Sequence, residues 1–139
     1  MSEPMITGET ILVALRDPFS DHSKRTLKRA NDRARSQEDS SLVILHVNRN
    51  HKFETMDTDD LDHIVSSVLD TDSYEVAIRY GYLVEREILD EAKQIDAHVI
   101  VIGRSEQTRL RRLVNRIIPV DPDIGRLVAD RSASTVEIV

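Results

Sequence analysis

The chain of 139 residues contains no cysteine and no tryptophan, only four glycines and four lysines, and no long apolar run. The missing cysteines exclude a disulfide framework, a thiolate zinc site, an iron–sulfur cluster and a cysteine nucleophile, although they do not by themselves assign a compartment. The longest apolar runs lie in Ser41-Leu-Val-Ile-Leu-His46 and Val99-Ile-Val-Ile102, and neither approaches the roughly 20 residues of a membrane helix. Residues 1–8 lack the basic segment and apolar core of a secretory signal. A cytoplasmic location without membrane insertion is therefore expected.

What is present suits one domain over residues 1–139. The chain is 40% hydrophobic, and a chain of this length buries roughly 68–70% of its unfolded surface without covalent staples. The net charge of −6 is a modest excess that disfavours non-specific nucleic-acid binding. It arises from 15 Arg and 4 Lys set against 15 Asp and 10 Glu. A surface poor in Lys and rich in Asp is what adaptation to high salt produces, and a GC-rich genome also favours Arg over Lys.

Short β-branched runs alternate with longer amphipathic stretches, the pattern of a parallel sheet with crossover helices. Strands are expected at Thr10–Leu15, Leu42–Val47, Tyr74–Arg79, Val99–Ile102 and Thr135–Val139. Helices are expected from Asp21 to Arg35, through Leu61, Ile64, Val65, Val68 and Leu69, through Val84, Ile88, Ala92 and Ile95, and from about Asp123 to Asp130. Five strands with four helices make a doubly wound α/β fold with helices on both faces. Ligands in such sheets sit beyond the carboxyl ends of the strands at the switch point, which directs attention to Arg16–Asp21 and Gly103–Thr108. There is no internal repeat.

Catalytic signatures are missing: no Gly-x-Ser-x-Gly, His-Glu-x-x-His or Gly-x-Gly-x-x-Gly occurs. No enzyme activity and no catalytic residue are expected. The histidines His46, His51, His63 and His98 do not have metal-ligand spacing. The run Asp57-Thr-Asp-Asp-Leu-Asp62 reads as helix-capping acids, because a calcium loop would need Gly where Asp62 stands and Glu where Val68 stands.

Residues in a fixed order carry a resemblance. Ile11-Leu-Val-Ala14, Leu27 and Ala30, and a second strand ending in His46-Val47 are followed by Gly81, Ile88-Leu89, Ala92 and Ala97-His-Val-Ile-Val-Ile-Gly103. In this order and spacing the chain resembles the universal stress protein family. The resemblance implies a five-stranded parallel, Rossmann-like sheet of the adenine nucleotide alpha hydrolase type and a role in stress response. It also implies homodimers that pair through the last strand, here Thr135, Val136, Glu137, Ile138 and Val139, and either ATP binding or none.

ATP-binding members carry Gly-x-x-Gly, nine residues, then Gly-Ser/Thr after the fourth strand, so that backbone N–H groups and a helix amino terminus meet the phosphates. Gly103 matches the first glycine, but Glu106 stands at the second, and Pro122-Asp123 fall on the Gly-Ser position. Proline has no N–H to donate, and a carboxylate repels the anion. The family's nucleoside-contacting Asp is Arg16 here, with Asp17 one step along, and His98 replaces another family Asp. The expectation is a homodimeric, non-enzymatic regulator with degenerate or absent ATP binding and no required cofactor, acting by contact with a protein partner. Its alternative is a sensor that holds ATP or AMP in a remodelled loop through Asp17, Gly103, Arg104 and Ser105.

Arg16, Arg104, Arg109, Arg111 and Arg112 would place positive charge near the same loops, either for an anion or as a solvated face paired with the many Asp residues. Leu110, Leu113, Val114, Ile117 and Ile118 have helical spacing, and suggest a further helix over the phosphate position.

Overall fold

The computed structural model describes residues 8–49, 56–103, 117–121, 124–129 and 132–139, with side chains described up to Gly103 and again from Thr135. The order is β1 (Thr10–Leu15), α1 (Asp21–Arg35), β2 (Ser41–Asn48), α2 (Thr58–Val68), β3 (Glu75–Tyr80), α3 (Val84–Ile95), β4 (Val99–Ile102), β5 (Ile117–Asp121), β6 (Ile124–Ala129) and β7 (Ser132–Ile138). One sheet runs β3-β2-β1-β4-β7-β6-β5. The five strands β3, β2, β1, β4 and β7 are parallel. β6 and β5 extend the sheet antiparallel beyond β7.

Period-two alternation divides the core between the two faces of the sheet. Leu12, Ala14, Leu45, Val47, Ile100, Ile102, Val136 and Ile138 pack with Val84, Ile88, Leu89 and Ala92 of α3. Ile11, Val13, Leu15, Leu42, Ile44, Val99 and Val101 pack on the other face with Leu27 and Ala30 of α1 and Leu61 and Val65 of α2. The central strands are hydrophobic throughout because both of their faces are covered. Each fully buried Leu or Ile contributes roughly 1.5–3 kcal/mol. α1 offers the sheet little apolar surface, and it is tied down instead by ion pairs. Arg29 Nε and Arg33 Nη1 reach Glu137 of β7 at 2.9 and 3.1 Å, and Arg33 Nε reaches Glu9 at 3.0 Å. The hydrogen bond to Glu9 holds the Arg33 guanidinium protonated more firmly than usual, against a smaller opposing effect of burial, and Glu137 adds to it.

Helix ends follow local chemistry. Ser20 caps α1 by accepting the Ser23 N–H, and Asp57 and Asp60 form a reciprocal capping box on α2. The acids of Asp57–Asp62 thus serve a helix start.

Three expectations are corrected beyond β4. The helix expected from Asp123 to Asp130 is the strand β6. Ile124, Leu127 and Val128 fit helical spacing, but only two residues separate β6 from β5 and from β7, and short links of that length join antiparallel strands. Pairing along β7 from Ile124↔Glu137 to Ala129↔Ser132 then decides the conformation. The suggested helix does not continue through Ile117 and Ile118, which pair with Leu127 and Arg126 in β5; residues 104–116 lie outside the described residues. Finally, the last strand is not a sheet edge. β7 lies between β4 and β6, so its backbone groups are satisfied within the chain, and pairing with a second copy through this strand would require displacing β6.

Candidate functional site

The site is assembled where the chain leaves β1 and β2 for the helices of one face. After Leu15 the loop Arg16–Ser20 turns sharply. Asp17 Oδ1 accepts the Phe19 N–H at 3.2 Å, and the Asp17 carbonyl accepts the Ser20 N–H at 3.0 Å and the Ser20 hydroxyl at 2.9 Å. The Ser20 hydroxyl in turn caps α1, so the loop and the helix start are one hydrogen-bonded unit.

Beneath this loop is a cavity of about 590 Å³, within the range of small-molecule sites. Arg16, Asp17, Pro18 and Phe19 form one wall, His46 and Asn48 the end of β2, and Met56, Asp60, His63 and Ile64 the start of α2. Pro18 and Ile64 are buried, whereas Phe19 is 68% exposed at the rim. The lining thus combines apolar walls with an arginine, two acids and two imidazoles.

Two side chains fix its floor. Asn48, only 5% exposed, donates from Nδ2 to the Met56 carbonyl at 2.8 Å and accepts the Met56 N–H on Oδ1 at 3.2 Å. This two-bond clasp satisfies both ends of a buried amide, as burial demands, and places Met56 and α2 against the strand end. The Asn48 backbone carbonyl also accepts the Gly81 N–H at 3.1 Å, linking the clasp to the end of β3. His46 Nδ1 lies 3.1 Å from the Leu15 carbonyl. A carbonyl only accepts, so the proton sits on Nδ1, and in the neutral ring Nε2 is left as an acceptor.

Of the residues that the sequence singled out, Asp17 lines the cavity and Gly103 does not. Gly103 closes β4 against α1, where a Cβ would lie 2.6 Å from His22 Nε2. Arg104 and Ser105 lie outside the described residues, as do Arg109, Arg111 and Arg112. The cavity therefore opens between β1, β2 and α2, one strand away from the expected β1/β4 crevice. Asn48, Met56, His22 and the pairing of His46 with Leu15 were not singled out as site features. Only the position of His22 in the first turn of α1, beside the expected switch point, offered a signal. Among the described residues no group of three or more His, Asp and Glu is placed to hold a metal ion. No helix among the described residues is long and apolar enough to cross a membrane.

The displaced ionisations lie outside the cavity lining. Tyr74 is pushed up to about 12, first by burial and then by its bond to the Asp62 carboxylate at 2.9 Å. Arg79 is raised chiefly by Glu91, which accepts its Nε at 2.8 Å, with Glu87 adding and burial opposing.

Comparison with known proteins bears on the fold and the family. A family model described as the Universal stress protein family matches residues 8–117. The structure is similar to that of a universal stress protein solved in complex with cAMP, at 19% identity and a TM-score of 0.57, covering 94% of this chain and 96% of that one. It is also similar to a universal stress protein from Archaeoglobus fulgidus DSM 4304, at 20% identity and a TM-score of 0.61, covering 94% of this chain and 43% of that one. At such identities the likeness is one of fold. No curated protein matches the chain by sequence.

Proposed function

The chain belongs to the universal stress protein family, and from that premise we propose that it is a non-enzymatic regulator that holds a purine nucleotide in the cavity over β1, β2 and α2. The observation that carries this reading is the cavity itself, about 590 Å³ with apolar walls and a few polar groups. A nucleobase needs a flat apolar slot with donors and acceptors at its edge, and Met56 and Ile64 beside His46 and Asp60 supply that chemistry. Arg16 at the mouth suits a phosphate. The cAMP bound by the similar structure supports a nucleotide as the ligand class.

The glycine pattern that cradles a triphosphate is missing from the sequence, so recognition rests on the base and ribose more than on the phosphates. This is the sensor alternative raised by the sequence, relocated to the β1–β2 side. The regulator acts as a homodimer, through a surface other than the last strand. The absence of any catalytic motif from the sequence supports a role in binding alone.

Calorimetric titration with AMP, ATP and cAMP tests the proposal. At least one should bind one-to-one with a dissociation constant of about 100 μM or tighter. Met56→Trp, which fills the cavity from a half-buried position, should weaken binding about tenfold or more while the melting temperature of the free protein stays close to wild type. Nucleotides that neither bind nor raise the melting temperature by mass action would overturn it.

A further inference from the structure

The start of α2 lines the cavity described above, and its other end lines a second, smaller pocket of about 200 Å³. Lys28, Asn31, Asp32 and Arg35 of α1 form one wall. They recur at i, i+3, i+4 and i+7, one face of that helix. Val68, Leu69 and Asp70, where α2 ends, form the other wall. The volume is below that of drug-sized ligand sites and suits a molecule of few heavy atoms.

Asn31 singles this pocket out. It is only 7% exposed and continues the stripe by which Leu27, Ala30 and Ala34 pack on the sheet, where an apolar side chain would be the ordinary choice. Among the described residues its side-chain amide makes no hydrogen bond. Buried amides are normally satisfied, as Asn48 is by Met56. An amide offers two N–H donors and one carbonyl acceptor, so Asn31 can meet an anionic and a cationic group at once.

The charges around it fit the same kind of ligand. Lys28 and Arg35 supply two cations, Asp32 and Asp70 two anions, and all four are exposed. None of them forms an ion pair among the described residues, whereas Arg29, Arg33 and Arg79 all do. A simple anion in this pocket would meet two carboxylates, and a simple cation would meet two cations. A molecule carrying both signs escapes both penalties. α2 reinforces the negative side, because its carboxyl end bears the negative pole of the helix dipole and its last turn contains no basic residue. Val68 and Leu69 offer apolar surface to the rest of the ligand.

We infer that this pocket binds a free α-amino acid, with its carboxylate toward Lys28 and Arg35, its ammonium toward Asp70 and the end of α2, and the Asn31 amide between the two. Charge-assisted bonds hold both ends of the ligand, and the ligand satisfies the amide that the fold leaves unanswered. The site is separate from the nucleotide cavity and does not depend on the function proposed there.

Thermal melting of the full chain with each common L-amino acid, followed by calorimetric titration, tests the inference. At least one amino acid should bind one-to-one with a dissociation constant of about 1 mM or tighter, and at about 10 mM should raise the melting temperature by about 2–4 °C. The amide of that amino acid lacks the carboxylate and its N-acetyl derivative lacks the ammonium; each should bind at least about tenfold more weakly. Asn31→Leu, similar in size, should abolish the shift while the free protein melts no lower than wild type, since no hydrogen bond is lost. Arg35→Gln and Asp70→Asn, both at exposed positions, should each weaken binding about tenfold. Failure of every amino acid to bind, derivatives that bind as tightly as the parent, or an Asn31→Leu variant that binds as the wild type does would each overturn the inference.

Discussion

On the β4 side of the switch point the chain spends its polar groups on itself. β6 covers the outer side of β7, β5 covers β6, and Glu137 of β7 takes Arg29 and Arg33 of α1. The strand that ends this half, β5, contains Pro119, with an irregular register between Pro119 and Asp121, so its edge cannot offer an unbroken ladder. On the β1–β2–β3 side polar groups line an open space, the cavity under Asp17 and Phe19, and among the described residues no strand pairs with the outer side of β3. A binding function is therefore sought where side chains face an open space, in the half that holds the cavity. The halves differ in what flanks the outermost parallel strand: β7 is paired with β6, whereas among the described residues no strand pairs with the outer side of β3.

Substitutions can break or sharpen this contrast. The largest effect is expected in the closed half. Glu137→Ala removes two charge-assisted bonds from a residue only 4% exposed and should cost about 2–3 kcal/mol in urea unfolding, with no change in nucleotide affinity. Asn48→Ala opens the clasp in the other half. Two neutral bonds are lost, at about 2 kcal/mol, and here affinity should fall as well, because Met56 and the start of α2 are released.

Tyr74→Phe should cost about 1 kcal/mol, and its pH dependence separates it from a packing effect. The folded-state pKa of about 12 lies above the ordinary value of 10.0, so the protonated phenol is favoured by folding. That contribution is complete below pH 10 and is lost as pH rises from 10 to 12. The wild type should therefore lose its advantage over Tyr74→Phe in this window when the two are compared by urea unfolding. The smallest effect is expected at the cavity rim: Phe19→Ala, at a residue 68% exposed, should alter stability by no more than about 0.5 kcal/mol, its consequence appearing in nucleotide affinity.

The sequence carried much of this fold in local signals. α1 spans Asp21–Arg35 as its Ser20 cap and basic last turn indicate, and β1 and β4 fall where their apolar runs lie. β3 is displaced by one residue, from Tyr74–Arg79 to Glu75–Tyr80, the usual uncertainty of an end set by pairing. The stretch from Ile117 to Ala129 was not legible, because Ile124, Leu127 and Val128 have helical spacing and only pairing with β7 makes them a strand, whereas the strand expected from Thr135 lies within β7. At the site, Asp17 was legible from its place after the first strand. Asn48 was not, since its partner Met56 is eight residues away, and nothing local in the sequence marks that the two meet. Its burial is a tertiary fact. The same holds for His22, which faces Gly103 only after β4 has been laid beside β1.

Nucleotide recognition by the β1–β2 half is tested most directly by comparing the affinities of adenosine and ATP in one calorimetric series. If base and ribose lie in the cavity and no glycine cradle grips the phosphates, the two dissociation constants should agree within about tenfold, a difference of at most about 1.4 kcal/mol. ATP binding more than about a hundredfold tighter than adenosine would place the decisive contacts beyond β4, and would contradict the assignment of function to the open half.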